Sequence, residues 1–288
     1  MKKKSVRIYE TLFKSSSILV MLMLFLIIIF IFMASLPLLK EYNLINIIFN
    51  NEWSPTSQNP QFGLLNMLSA TLISTFLALL IGIPIGLGTS IYLAKIAPPK
   101  VKAALISIIE VLAGIPSVIY GFFILKTVVA LIYKYGNSSD VSGNGMLAAI
   151  IVLAIMVLPT IITISTTSLG QVDKAMDDAS YALGANRTQT IFKVDFRAAK
   201  SGILASILLG VGKVVGETMA VMLVCGNLPL FPSNLLLPTR TLTTNIATDM
   251  AYANGVHQSA LFFTGVVLFV IIIILNLLIL RLNKKAGA

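Results

Sequence analysis

The sequence predicts an all-α membrane protein of about six transmembrane helices, with both termini in the cytoplasm. Three observations predict it. The chain is 57% hydrophobic and only 11% charged, with a mean hydropathy of +0.94. A soluble domain carries roughly 25% charged residues, so these 288 residues cannot cover a water-facing surface. Apolar runs recur at the length of ~20 residues that a helix needs to cross the hydrocarbon core. Lysine and arginine gather in alternate segments between those runs, as topology requires.

The elements follow in order. The opening MKKKSVRIYETLFK leads into an apolar run from Ser17 to Leu39. That run is too long for a signal-peptide core, and no small-residue cleavage site clearly follows, so it reads as a retained first span. Further runs extend over Leu68 to Ile96, Val101 to Tyr133, Met146 to Leu169, Ala198 to Gly226 and Ala260 to Leu280. Glu110 and the GIPS stretch, Gly114 to Ser117, interrupt the third, which is a broken helix or two short segments. Between runs, NNEWSPTSQNPQFG (Asn50 to Gly63) and GNSSDVSGNG (Gly136 to Gly145) have the Gly, Pro, Asn and Ser punctuation of outside loops. With the N-terminus inside, the cytoplasmic segments hold Lys2, Lys3, Lys4, Arg7, Lys14, Lys95, Lys100, Lys102, Lys174, Arg187, Lys193, Arg197, Lys200, Arg281, Lys284 and Lys285. Outside or within spans lie only Lys40, Lys126, Lys134, Lys213 and Arg240. The asymmetry sets an N-in, C-in orientation. Residues 1–66 form the cytoplasmic tail, first span and first outside loop; residues 67–288 form the transmembrane domain.

Composition also excludes. The formal net charge of +10 is accounted for by residues flanking spans, so it does not point to nucleic acid. Cys225 and His257 are the only residues of their types, which leaves no CxxC motif, no histidine-based metal site and no catalytic triad. No HExxH, nucleophile elbow or paired catalytic carboxylates occur, so neither a catalytic residue nor a cofactor is expected. Gly210-Val211-Gly212-Lys213 has the look of a phosphate-binding loop, but Ile207 stands where its first glycine belongs and Val214 follows the lysine. Gly82-x-x-x-Gly86 is a helix-packing pattern with Pro84 inside it.

Two features stand out against the oil. The first is DDASYALGANRTQT, Asp177 to Thr190, in the cytoplasmic segment of about 171–197. Asp173 to Leu183 can form a helix whose apolar positions are Ala175, Met176, Ala179, Ala182 and Leu183. Gly184 can end it in the left-handed conformation, and Thr188 to Val194 can form another turn or two. Such an element either enters a groove on a soluble partner or lies as an amphipathic connector on the membrane surface. The second feature is charge inside the fifth run. Lys213 and Glu217 lie four residues apart and, on one continuous helix, would share a face and pair. An ionisable residue at the bilayer centre costs ~2.5–3.5 kcal/mol on insertion scales. The pair is either a structural ion pair or part of an anion path, with Lys213 attracting the anion and Glu217 holding, gating or sensing it. Glu110 has a surface reading and a pathway reading. Gly114, Pro116 and Gly121 are either a simple kink or a break that lines a cavity, with the Ser117 hydroxyl beside it.

Asp178-Ala179-Ser180, then Gly184-Ala185, then Phe192 and Val194 resemble the EAA coupling motif of bacterial ABC-importer permeases. Aspartate stands where glutamate is usual, and Phe196-Arg197 where Leu-Pro usually closes the motif. LAGIPSVIYGFF (Leu112 to Phe123), GKVVGETMAVMLVCGN (Gly212 to Asn227) and RTLTTNIATDM (Arg240 to Met250) narrow the resemblance to the phosphate-specific ABC transporter permeases, nearer the PstC-like than the PstA-like subunit. The resemblance covers the chain from about Asn51 onward. It implies a type I ABC-importer permease fold in a bacterial or archaeal plasma (inner) membrane, and a path for inorganic phosphate rather than an enzyme. Another oxyanion, molybdate or sulfate, and an ion-coupled secondary transporter are the alternatives. It implies ATPase coupling through Asp178, Ala179, Ser180, Gly184 and Ala185, and a substrate path past Lys213, Glu217, Thr218, Pro116 and Ser117. The family usually carries arginine where Lys213 stands. The implied partners are a PstA-like second permease, PstB-like cytoplasmic ATPase subunits, a PstS-like extracytoplasmic phosphate-binding protein and membrane lipid; no nucleic acid and no metal are implied.

Overall fold

The computed structural model describes residues 2–135 and 143–285, with side chains from 9 to 281. The outside loop expected at 136–145 therefore lies mostly beyond the described residues, as do the side chains of Lys2, Lys3, Lys4, Arg7, Lys284 and Lys285.

Helix α1 (Lys2–Glu41) is apolar nearly all round from Ile18 to Leu39 and largely exposed there, the state of a helix that faces lipid. A short α2 (Leu44–Phe49) follows, capped by the Asn43 side chain on the Ile45 amide. Strands β1 (Trp53–Ser54) and β2 (Gln61–Phe62) form a small antiparallel hairpin with Trp53 opposite Phe62. Helix α3 (Leu65–Ile91) ends in a π-helical turn, Tyr92–Ile96. Then come α4 (Pro99–Gly114), α5 (Ser117–Ile124), a second π turn (Leu125–Val129) and α6 (Ala130–Tyr135). Helix α7 (Met146–Gly170) leads to the cytoplasmic elements α8 (Lys174–Ala182), α9 (Arg187–Thr190), a third π turn (Ile191–Asp195) and α10 (Phe196–Ala198). The chain closes with α11 (Lys200–Gly216), α12 (Met219–Val224), α13 (Leu242–Asp249) and α14 (Val256–Lys285).

Among the described residues, five helical stretches are long and apolar enough to cross a membrane: Tyr9–Glu41, Leu65–Ile96, Ser117–Tyr135, Met146–Gly170 and Val256–Arg281. A sixth arises if Arg187–Ala198 and Lys200–Gly216, bent by 69°, count as one. Two of the expected runs are broken. The third divides at Ile115-Pro116, where Ile115 is extended (ψ 128°) because the following proline ring excludes the helical conformation. The fifth, expected to run unbroken from Ala198 to Gly226, stops at Gly216. Glu217 is extended (ψ 128°) and α12 starts afresh. No proline signals this second break. It is held by one local and one distant hydrogen bond: the Glu217 carboxylate accepts the Ala220 amide at 3.1 Å, and the Thr243 hydroxyl donates to the Glu217 carbonyl at 3.0 Å.

The core centres on α7. In lipid there is little hydrophobic gain from pairing helices, so close van der Waals contact and small residues decide who packs against whom. Gly82 and Gly86 of α3 bring that helix onto α7: a Cβ at Gly82 would fall 2.5 Å from Val157 Cγ1, and one at Gly86 2.7 Å from Ile161 Cγ2. Gly210 does the same for α11, with Val157 Cγ2 at 2.9 Å. The spaced glycines of α3 thus pack within the chain. Ser165 and Ser206 join α7 to α11 by a buried hydroxyl contact of 2.8 Å.

A second cluster caps the outside end. Leu38, Ile47, Trp53, Phe62, Met67, Leu242 and Leu261 pack together there, so residues before 67 are tied to the later helices. Asp249 is its polar hub. It accepts Trp53 Nε1 at 3.1 Å and Arg240 at 3.3 Å, and His257 Nε2 lies 3.6 Å away. Arg240 also donates to the Asn245 side chain and the Asn227 carbonyl. His257 packs on Trp53 and Phe62 as part of this cap.

Candidate functional site

Two places collect the expected site residues. The first lies where the helices are broken. Helices α5 and α12 each begin just after a break and cross at Gly121, where a Cβ would meet Ala220 Cα at 2.8 Å and Ala220 O at 2.9 Å. Both begin within about one turn of that crossing, Ser117 opening α5 and Thr218 standing just before α12. Backbone groups freed by the breaks find partners: the Tyr120 hydroxyl donates to the Leu112 carbonyl at 2.7 Å, and Thr218 Oγ1 to the Gly216 carbonyl at 3.1 Å. Irregular backbone at membrane depth is tolerated where it is buried in protein or lines a cavity.

Lys213 sits in the last turn of α11, exposed, with Nζ donating to Thr160 Oγ1 at 3.5 Å. Thr160 lies well inside the 25-residue helix α7, about 21 Å from its start and about 15 Å from its end at 1.5 Å per residue. The ammonium is therefore near mid-depth. It is not paired with Glu217. The break after Gly216 removes the shared helix face that the i, i+4 spacing assumed, and the Glu217 carboxylate caps α12 instead. Glu217, Thr218 and Ser117 are half-buried; Pro116 is exposed. An exposed ammonium at this depth cannot face hydrocarbon cheaply. This face of the chain needs a polar cavity or another subunit against it.

The second place is the segment 171–197. Asp173 caps α8 through its side chain on the Ala175 amide at 3.0 Å. Gly184 adopts φ +83°; its amide reaches the Tyr181 carbonyl and the Ala185 amide the Ser180 carbonyl. These paired bonds make the Schellman end of the helix, which asks for glycine at the left-handed position. Asn186 then starts α9 with a reciprocal capping box to Gln189. Ser180 is buried and contacts Thr190 Oγ1 at 3.0 Å, which folds α8 back on α9. Asp178 and Ala179 remain exposed, and Leu183 is 90% exposed. Met176, Ala179, Leu183, Ala185, Gln189 and Val194 line a shallow, mainly apolar groove of about 550 Å³.

Sequence reasoning missed the charges that brace this segment. Lys95, in the π turn after α3, holds Asp177 of α8 at 3.0 Å and Asp195 of the third π turn at 2.8 Å. The Arg187 guanidinium donates to the Lys95 carbonyl. Burial works to raise the Asp177 carboxyl, but its hydrogen bond with Asp195 and the Lys95 ammonium hold it below its ordinary range. A lone lysine after an apolar run reads as a topology signal, and nothing in its spacing foretells partners 82 and 100 residues on.

The description "binding-protein-dependent transport system inner membrane component" matches residues 82–287. A probable ABC transporter permease protein of Bacillus subtilis, YqgH, is 36% identical over 243 residues, covering 84% of this chain and 78% of the relative. The phosphate transport system permease protein PstC of Pasteurella multocida is 33% identical over 263 residues, covering 84% and 82%. Among solved structures, an inward-facing MetNI methionine ABC transporter superposes with a TM-score of 0.56 at 20% identity, over 77% of this chain and 94% of that one. That likeness carries the fold, a type I ABC-importer permease. With the family match spanning well over half of its length, the chain belongs to the binding-protein-dependent transport system inner membrane components.

Proposed function

We propose that this chain is one of two permease subunits of an ATP-driven importer and contributes to the transmembrane path of inorganic phosphate. The observation that carries the reading is the Lys213 ammonium. Among the described residues no carboxylate pairs with it; it stands near mid-depth beside the Thr160 hydroxyl, one turn before the helix breaks at Gly216. A cation so placed attracts an anion, and the Thr160 hydroxyl, whose oxygen already accepts from Lys213, keeps its proton to offer to an anion oxygen. The relatives named for phosphate transport favour phosphate over molybdate or sulfate.

On this reading residues 67–288 are the transmembrane domain. Asp178, Ala179, Ser180, Gly184 and Ala185 shape the coupling element, in which Leu183 and the groove beside it meet a PstB-like cytoplasmic ATPase. Ser180 acts by packing, since it is turned inward onto Thr190. The exposed face of α4 and α5 (Ile108, Val111, Ile119, Phe122) receives a PstA-like second permease. The capped outside end built on Asp249 and Trp53 receives a PstS-like binding protein. The site is a bacterial or archaeal plasma membrane.

The test is ATP-dependent uptake in proteoliposomes that hold the chain with its permease, ATPase and binding-protein partners. Radiolabelled phosphate uptake should resist excess sulfate and molybdate. Uptake of either competitor in place of phosphate defeats the phosphate assignment. Uptake that needs an ion gradient rather than ATP defeats the importer assignment.

A further inference from the structure

We propose that Lys95 is the joint through which movement of the cytoplasmic coupling segment reaches α3; this rests on the reading of that segment as the ATPase dock. The segment already has one route into the membrane, the continuous chain through α10, bent by 69° into α11. Lys95 supplies a second, non-covalent route. Its single ammonium holds two carboxylates from two separate parts of the segment, Asp177 on α8 and Asp195 at the end of the third π turn. Asp195 is 1% exposed, and among the described residues Lys95 is the only cation that pairs with it.

The geometry is that of a mechanical link rather than a surface pair. Exposed ion pairs contribute ~0–1 kcal/mol and slip easily. Here the Lys95 and Asp177 side chains are only 14% and 20% exposed, and removing one partner strands a buried charge. Lys95 and Asp195 both lie in π turns. A π turn inserts an extra residue and re-aims the side chains after it, and such turns concentrate at functional positions. The Arg187 guanidinium on the Lys95 carbonyl fixes the backbone of the same turn. Beyond Lys95, α3 packs along α7 through Gly82 and Gly86, and α7 carries Thr160 beside Lys213. A displacement of α8 therefore pulls on α3 and α11 together, the two helices that pack on Val157 and Ile161 of α7.

The joint predicts uncoupling rather than loss of assembly. The experiment uses the complete importer in proteoliposomes and reads three quantities for each variant: ATPase co-purified with the chain, ATP hydrolysed, and phosphate taken up per ATP. Lys95→Met should retain the ATPase but lower uptake per ATP by about tenfold, within the usual range of coupling between sites. Lys95→Arg should stay near the parent, because its fork can hold both carboxylates. The triple replacement Lys95→Met, Asp177→Asn, Asp195→Asn removes every charge and leaves no stranded carboxylate. It too should keep the ATPase and remain uncoupled. A triple variant that transports at the parental ratio overturns the proposal and leaves the cluster as a packing element. So does a Lys95→Met variant whose uptake per ATP is unchanged. The docking reading fails separately, if the ATPase stays bound at the parental level when the Gly184 turn is broken.

Discussion

Gly121 offers a test whose size can be worked from the structure. Replacing it with alanine places a Cβ 2.8 Å from Ala220 Cα, 2.9 Å from Ala220 O and 3.0 Å from Leu223 Cδ1. Carbon contacts sit comfortably at about 3.5–4.0 Å, so α5 and α12 must part by about 0.7–1.2 Å. Leu223 can swing away. The Ala220 backbone cannot, because Ala220, Val221 and Val224 are buried in the central cluster. Overpacking of this kind costs ~1–3 kcal/mol. The better helix propensity of alanine returns ~0.5–1 kcal/mol, leaving a net loss of up to about 2.5 kcal/mol. Gly88 of α3 is the control, since nothing lies within 4 Å of its built Cβ. Gly88→Ala should be neutral or stabilising by ~0.4–1 kcal/mol. The assay is thermal unfolding of the purified importer in detergent, paired with phosphate uptake. Gly121→Ala should melt below the parent and transport less, as the crossing that places Ser117 and Thr218 opens. A Gly121→Ala chain that melts and transports like Gly88→Ala would refute the close crossing of α5 and α12.

Further outcomes can be stated together. Gly184→Val forces a β-branched side chain to φ +83° with free space around it, so the cost is backbone strain of ~1–2 kcal/mol; ATPase co-purification should fall while membrane insertion persists. In a Cys225-free background, a cysteine at Leu183 should be labelled only from the cytoplasm and one at Ser233 only from outside. Leu183 is the better probe than Ser180, which is buried; outside labelling at Leu183 would reverse the orientation and the coupling argument with it. Asp249→Ala removes the acceptor shared by Arg240 and Trp53 and should destabilise the outside cap by ~1–3 kcal/mol. Trp53 is the only tryptophan, so its fluorescence should report that loosening directly.

The fold was legible where periodicity and length suffice. The spans Leu65–Ile96 and Met146–Gly170 fall close to their apolar runs, and Gly184 ends α8 as its chemistry suggests. The break at Ile115 was visible because proline announces it. The break at Glu217 was not. It is stabilised by a hydrogen bond from Thr243, 26 residues away, and by a carboxylate that caps the next helix, and neither leaves a mark in hydropathy. That miss propagated to the site, since a pair expected from i, i+4 spacing vanishes once the helix stops between its members. The partners of Lys95 were hidden for a related reason. Its sequence neighbourhood explains it fully as a topology residue, and only the return of the chain at Asp177 and Asp195 gives it other work.

The central claim is that the unpaired Lys213 charge belongs to a phosphate path, and its most direct measurement is ATP-dependent phosphate uptake by importers carrying Lys213→Gln and Lys213→Arg. The glutamine variant should insert, assemble with the ATPase and lose most uptake. The arginine variant should transport, since it keeps the charge and presents a fork suited to phosphate oxygens. A glutamine variant that assembles and takes up phosphate at the parental rate would contradict the account and return Lys213 to a packing role beside Thr160.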